Sequence, residues 1–112
     1  MTYEDVRTIA LAFPGVEDST SYGTPALKVK GKFLTRLKED GDSIVIRVGF
    51  DEREMLMEAF PDTYYITDHY RDYPAVLVRL SKADPQAVCR FLERLWREAA
   101  PKRLVKDYDA RA

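Results

Sequence analysis

His69 is the only histidine of the chain, and it stands between Asp68 and Tyr70 in the run TDHYRDYP. An imidazole beside a carboxylate can shuttle a proton near neutral pH. Such work also needs a second group set in place by the fold, and no nucleophile stands out. Ser19, Thr20 and Ser21 are the hydroxyl cluster of the chain, of a kind that makes ordinary turns. Asp68, His69 and Asp72 are the nearest approach to a metal-ligand set, but neighbours in a loop rarely converge on an ion without further partners. Cys89, the only cysteine, falls among Val88, Leu92 and Trp96 and reads as core packing. The expectation is no catalytic residue, no metal and no cofactor. His69 and Tyr70, with Tyr22, are kept as a set that either touches a ligand or shapes a loop.

Charge is the sharper signal. Residues 25–38, PALKVKGKFLTRLK, hold five basic residues and no acidic one. Lys28 and Lys30 alternate with Leu27 and Val29, and Arg36 and Lys38 alternate with Thr35 and Leu37. Period two marks a half-buried strand with apolar residues on one face and cations on the other. Arg47 and Arg79 fall on the same outer parity, and Lys32 sits at the hairpin. A surface that binds a nucleic-acid backbone needs several cations spread over tens of ångströms, and a sheet face or a pair of hairpins supplies that spread. The competing reading is a solvated face whose cations pair with the acids of residues 39–72. No base-reading signature accompanies the cations, so binding would be led by the phosphate backbone and weakly sequence-specific. Arg90, Arg94 and Arg97 make a second basic line at i, i+4 and i+7, which reads as a solvated helix face beside Glu93 and Glu98. Tyr22, Tyr64, Tyr65, Tyr70 and Tyr73 gather around loops with Phe33, suited to stacking on bases, to gripping a partner or to rim packing.

The elements that position these residues follow from spacing and punctuation. Thr2 and Asp5 resemble a capping box, and Val6, Ile9, Ala10 and Phe13 recur at helical spacing until Pro14-Gly15. Residues 16–24 read as a connecting loop with a short extended piece at most. Strands are expected at about 25–30, 33–38 and 43–48, joined as antiparallel hairpins. Asp51-Glu52-Arg53-Glu54 opens a helix with Met55, Leu56, Ala59 and Phe60 on its apolar side. Tyr64 to Thr67 and Ala75 to Leu80 are further strands. Asp84-Pro85 caps a long helix burying Val88, Phe91, Leu92, Leu95, Trp96 and Ala99, and Leu104, Val105 and Tyr108 could anchor the tail, about 101–112. The expected fold class is α+β: a two-layer α-β-β-β-α-β-β-α order, an antiparallel sheet of about five strands with helices on one face.

Composition sets the frame. The 112 residues form one expected domain, 1–112, with 46% apolar residues and a net charge of -1. Near-neutral total charge argues against coating nucleic acid through bulk charge, so any anion binding must come from local patterning. No apolar run approaches the roughly 20 residues that span a bilayer. The start, MTYEDVRTIA, lacks a signal-peptide pattern, and a lone cysteine suits a reducing compartment. A cytoplasmic protein is expected.

The segments SYGTPALKVKGKFLTRL, TDHY and YPAVLVRL resemble the MmcQ/YjbR family of small bacterial proteins. The similarity runs from the first helix to Pro101. Its most specific pieces are Tyr22-Gly23-Thr24-Pro25, Gly31-Lys32-Phe33 and His69-Tyr70. The resemblance implies a fold likened to secretion-chaperone and frataxin-like α/β layers. It also implies DNA binding through a "double wing" of hairpins. The acidic first helix that would hold iron does not carry over, since only Glu4 and Asp5 are present. The expectation is thus a non-enzymatic binder of double-stranded DNA using Lys28, Lys30, Lys32, Arg36, Lys38, Arg47 and Arg79. The alternative is a protein-interaction module or homodimer using the sheet edge and the tyrosine-rich loops.

Overall fold

The residue patterns fold into an α+β arrangement in the computed structural model, which describes residues 1–111. In chain order the elements are α1 (Tyr3–Leu11), β1 (Val16–Ser21), β2 (Thr24–Val29), β3 (Lys32–Arg36), β4 (Ser43–Arg47) and α2 (Phe50–Ala59). They continue with β5 (Tyr64–Tyr65), β6 (Ala75–Arg79), α3 (Pro85–Ala99) and α4 (Lys102–Arg111). Short 3-10 turns occupy Asp68–Tyr70 and Leu80–Lys82. The Thr2 hydroxyl accepts from the Asp5 N–H while the Asp5 carboxylate accepts from the Thr2 N–H, so α1 begins with a true capping box. Asp84 caps α3 through the Gln86 N–H, with Pro85 in the first turn.

The strands form two antiparallel three-stranded sheets, ordered β1-β2-β3 and β4-β6-β5, rather than one sheet of about five. They meet at a single bridge, Leu37 to Ile44, and at a hydrogen bond from the Thr35 hydroxyl to the Val45 carbonyl, 2.8 Å. The extra strand is β1. Its sequence, VEDSTS, lacks apolar alternation because it is an edge with no buried residue, and is held by backbone pairing to β2 from Val16–Val29 to Ser21–Thr24. Asp18 is further held by Arg7 of α1, at 2.8 and 2.7 Å. At the opposite edge β5 is only two residues long.

The helical layer packs on one side of both sheets. Leu27, Val29, Leu34, Ile44, Ile46, Val76 and Val78 meet Val6 and Ala10 of α1 and Val88, Leu92 and Trp96 of α3. Leu34 is the extra residue of a bulge, since Leu27 faces Thr35 and Lys28 faces Phe33. Helix α4 docks through Leu104, Val105 and Tyr108. At Gly15 the φ of +79° favours glycine in the turn, and a β-carbon there would lie 2.8 Å from Leu104 Cδ1 and turn that side chain aside.

Helix α2 departs from its expected pattern. Met55 and Phe60 are exposed, and its buried residue is Arg53. The outer face of the sheets is also less open than expected, because Tyr70 caps a second small core of Val45, Ala75 and Leu77 there.

Asp40 organises the turn between β3 and β4. Burial alone would raise its carboxyl, but the N–H groups of Asp42 and Ser43 and the hydroxyls of Ser43 and Tyr65 hold it below the usual carboxylate value. A lowered folded pKa contributes stability that is present above the unfolded value of about 3.9 and lost as pH falls through the folded value. Asp40→Asn is therefore expected to lose less stability than the native chain in urea titrations run across that acid window. Parallel acid limbs would exclude the assignment.

Candidate nucleic-acid interface

The expected cations divide between two neighbouring environments. The first is the β2–β3 hairpin end. Leu27 and Val29 face the core, so Lys28 faces outward, in register with Glu17 on one side and Phe33 on the other. Lys30 and Gly31 make the two-residue turn, both at positive φ, 50° and 81°. Lys32 pairs with Val29 and lies toward the helical side. There it lines a cleft of about 340 Å³ with Phe33, Arg47 and Glu98 of α3, in the gap beyond the Leu37–Ile44 bridge. Among the described residues Lys28, Lys30, Lys32 and Arg47 form no ion pair. Phe33 is partly exposed among them.

The second environment centres on Arg36, which is buried rather than offered to solvent. Its Nη1 donates to the Thr24 hydroxyl at 3.1 Å, the Leu37 carbonyl at 3.4 Å and the Glu39 carboxylate at 3.3 Å. Its Nη2 donates to the Tyr70 hydroxyl at 3.3 Å, and its guanidinium carbon lies 5.1 Å from the centre of the Tyr22 ring. Lys38 sits 5.1 Å from the Tyr70 ring centre and 3.4 Å from Glu39. The Glu39 carboxyl is held below its usual value by its own backbone N–H, with Lys38 and Arg36 adding to it. Arg36 and Lys38 are thus largely spent within the fold. Tyr22, Thr24 and Tyr70, from segments far apart in sequence, converge on this one guanidinium. Tyr22 itself is 86% exposed at a turn tip with φ +53°.

The 68–75 loop is positioned by Arg53, which in the sequence stands inside the acidic turn Asp51-Glu52-Arg53-Glu54. Its guanidinium donates to the carbonyls of Tyr70 (2.9 Å), Tyr73 (2.8 Å), Ala75 (3.4 Å) and Arg71 (3.0 Å). A signal existed. Arg53 lies at i−3 and i−4 from Leu56 and Met57, the α2 residues that pack on the core.

His69 is exposed, its ring edge-on to Tyr70 at 4.9 Å and stacked with Tyr73 at 5.7 Å. The adjacent Asp68 pairs with Arg71 at 2.9 Å. Arg79 lies over the Tyr65 ring at 4.3 Å and donates to the Asp62 carbonyl. On α3, Arg94 pairs with Glu52, and Arg97 with Glu93 and Asp109, while Arg90 forms no ion pair among the described residues. Among the described residues no helix is long and apolar enough to cross a membrane.

The sequence profile of the YjbR family matches residues 11–98, a span that includes the hairpin, Arg36 and the His69-Tyr70 pair. Uncharacterized proteins of Mycobacterium bovis and Mycobacterium tuberculosis are 34% identical over 89 residues, covering 75% of this chain and 68% of each relative. The crystal structure of Deinococcus radiodurans protein DR2400, with a DUF419 domain, superposes with a TM-score of 0.71 over 85% of this chain and 75% of that one. At 18% identity that likeness concerns the fold. On the extent of the profile match and the identity to the mycobacterial proteins, the chain belongs to the YjbR family.

Proposed function

We propose that this chain is a non-enzymatic, cytoplasmic module that binds the phosphate backbone of double-stranded DNA with the β2–β3 hairpin end of its sheet. The observation that carries this reading is the group Lys28, Lys30, Lys32 and Arg47, without carboxylate partners among the described residues, around the half-open ring of Phe33. Unpaired cations release phosphate counterions without first breaking an ion pair. Arg36 and Lys38 would have to leave Glu39. Contacts to about three or four phosphates give a salt slope near −3, with a dissociation constant on the order of 10⁻⁴–10⁻⁶ M at physiological salt. Fluorescence anisotropy with a mixed-sequence duplex over a salt series tests this. The triple variant K28E/K30E/R47E is expected to weaken binding by more than about tenfold and to flatten the slope by about two to three units. Absence of binding by the native chain at low salt, or an unchanged slope in the variant, would overturn the proposal.

The exposure of Tyr22 favours a second reading, a protein-interaction surface at the β1–β2 tip. Under it, Tyr22→Ser abolishes self-association or partner capture in sedimentation while leaving DNA anisotropy alone.

A further inference from the structure

A second cleft, of about 630 Å³, lies between α2, β5 and the start of α3, away from the hairpin. Its volume falls within the range that encloses small ligands. Leu56, Phe60, Tyr64, Ala87 and Phe91 supply an apolar lining. Three of those rings form a continuous edge-to-face chain, Phe60 to Tyr64 at 6.2 Å and Tyr64 to Phe91 at 6.2 Å. Phe60, the C-cap of α2, is 59% exposed at the mouth of this lining.

The charged groups around this lining are not equivalent. Glu52 is engaged by Arg94 at 3.1 Å, and Arg94 also lies over the Phe91 ring at 5.4 Å. Asp84 is engaged by the Gln86 N–H as the cap of α3. Lys82 and Arg90 line the same cleft and form no ion pair among the described residues. Among the described residues the Tyr64 hydroxyl makes no hydrogen bond either, and burial, reinforced by Asp84, raises its pKa still further above neutrality. The acids are occupied, whereas two cations and one hydroxyl donor are free beside an aromatic wall.

We infer that this cleft is a binding site for a small organic anion, an aromatic body carrying one carboxylate, sulfonate or phosphate. The ring stacks against Phe60, Tyr64 and Phe91, and the anion meets Arg90 and Lys82. A cationic or neutral ligand of the same shape gains the wall but not the charged hydrogen bonds, which are the stronger kind. Selectivity for the anion is therefore the distinguishing property of the site.

The probe is 1-anilinonaphthalene-8-sulfonate, compared with the uncharged N-phenyl-1-naphthylamine, each followed by fluorescence on the folded chain. Saturable one-site binding of the sulfonate is expected. Arg90→Glu combined with Lys82→Glu should weaken the sulfonate about tenfold or more while changing the neutral probe less than about twofold. Ala87→Trp, which fills the cleft, should remove both. Both substituted charges are exposed, so the double variant should keep its melting temperature and the reading does not depend on the Trp variant folding. Sulfonate binding that survives both variants overturns the site. Equal loss of the two probes in the charge variant overturns the anion preference. A dimer that the sulfonate dissociates, seen by sedimentation, would assign the cleft to a second copy and overturn the small-ligand assignment.

Discussion

Arg53→Met is expected to destabilise the fold by about 3–5 kcal/mol, read as a shift in the urea midpoint at constant m-value. Methionine preserves most of the stem but none of the donors. Four backbone carbonyls, of Tyr70, Arg71, Tyr73 and Ala75, then lose the guanidinium that now serves them. The Tyr70 and Tyr73 carbonyls keep the N–H groups of Tyr73 and Ala75, but a buried acceptor left without a partner costs about 1–3 kcal/mol, and water admitted to the loop recovers part of that. Arg53 is 5% exposed, and its nearest carboxylate, on Glu54, is 3.9 Å away and largely solvated, so the ion pair contributes little beside the carbonyls. Arg53→Lys should fall between, because an ammonium is a point donor and cannot span a fork of carbonyls. Amide exchange of Tyr73 and Ala75 should quicken in both variants. A methionine variant within about 1 kcal/mol of the native chain would mean that the loop is held by other contacts. The loss would reach the outer face as well. Tyr70 is the residue through which this loop touches Arg36, so freeing it also frees the guanidinium.

Trp96→Ala is expected to cost about 3–5 kcal/mol, the usual range for emptying a buried aromatic site. Trp96 is fully buried, stacks on Phe13 at 5.4 Å, meets Tyr108 edge-on at 5.0 Å and donates its indole N–H to the Pro14 carbonyl at 2.8 Å. One side chain thus joins the end of α1, the turn at Gly15, the last turn of α3 and the docked face of α4. Helix α4 should detach first, because it has no buried residue of its own. Trypsin should therefore cut the alanine variant early at Lys102 and Arg103. Trp96→Phe keeps most of the packing and loses the hydrogen bond, about 1 kcal/mol by itself, and it serves as the measurement if the alanine variant does not fold. Native resistance to trypsin in both variants would show that α4 does not depend on this contact.

What could be read from the sequence depended on where periodicity and burial agree. In α3 the apolar spacing is strong, and Val88, Phe91, Leu92, Leu95 and Trp96 are buried as that spacing requires, with Ala99 partly buried at its end. Thr2 with Asp5, and Asp84 with Pro85, are local signals that need no tertiary information. Strand β1 was not legible, because an edge strand of VEDSTS is made by the backbone of β2 and not by its own side chains. The division of the sheet turns on the Leu37–Ile44 bridge and on the bulge at Leu34, and register irregularities leave no trace in alternation. Period two correctly puts Lys28, Arg36, Arg47 and Arg79 opposite the core, but it gives a face and not a depth. Arg36 is buried because a loop more than thirty residues later lays Tyr70 over it. Arg53 was hidden by its acidic neighbours, although its place on the stripe of Leu56 and Met57 was visible.

The two outer strands have a consequence for how the molecule behaves in company. An open strand edge is a template on which another chain can add itself and begin an aggregate. Here one edge is β1, where Glu17 and Asp18 bring negative charge to the approach and Asp18 is pinned by Arg7. The other is β5, too short at two residues to guide an incoming strand. A second copy sliding alongside would set acids against acids at one end of the sheet and find almost nothing to pair with at the other. The same residues that made β1 unreadable as a strand are the ones that keep the sheet from growing.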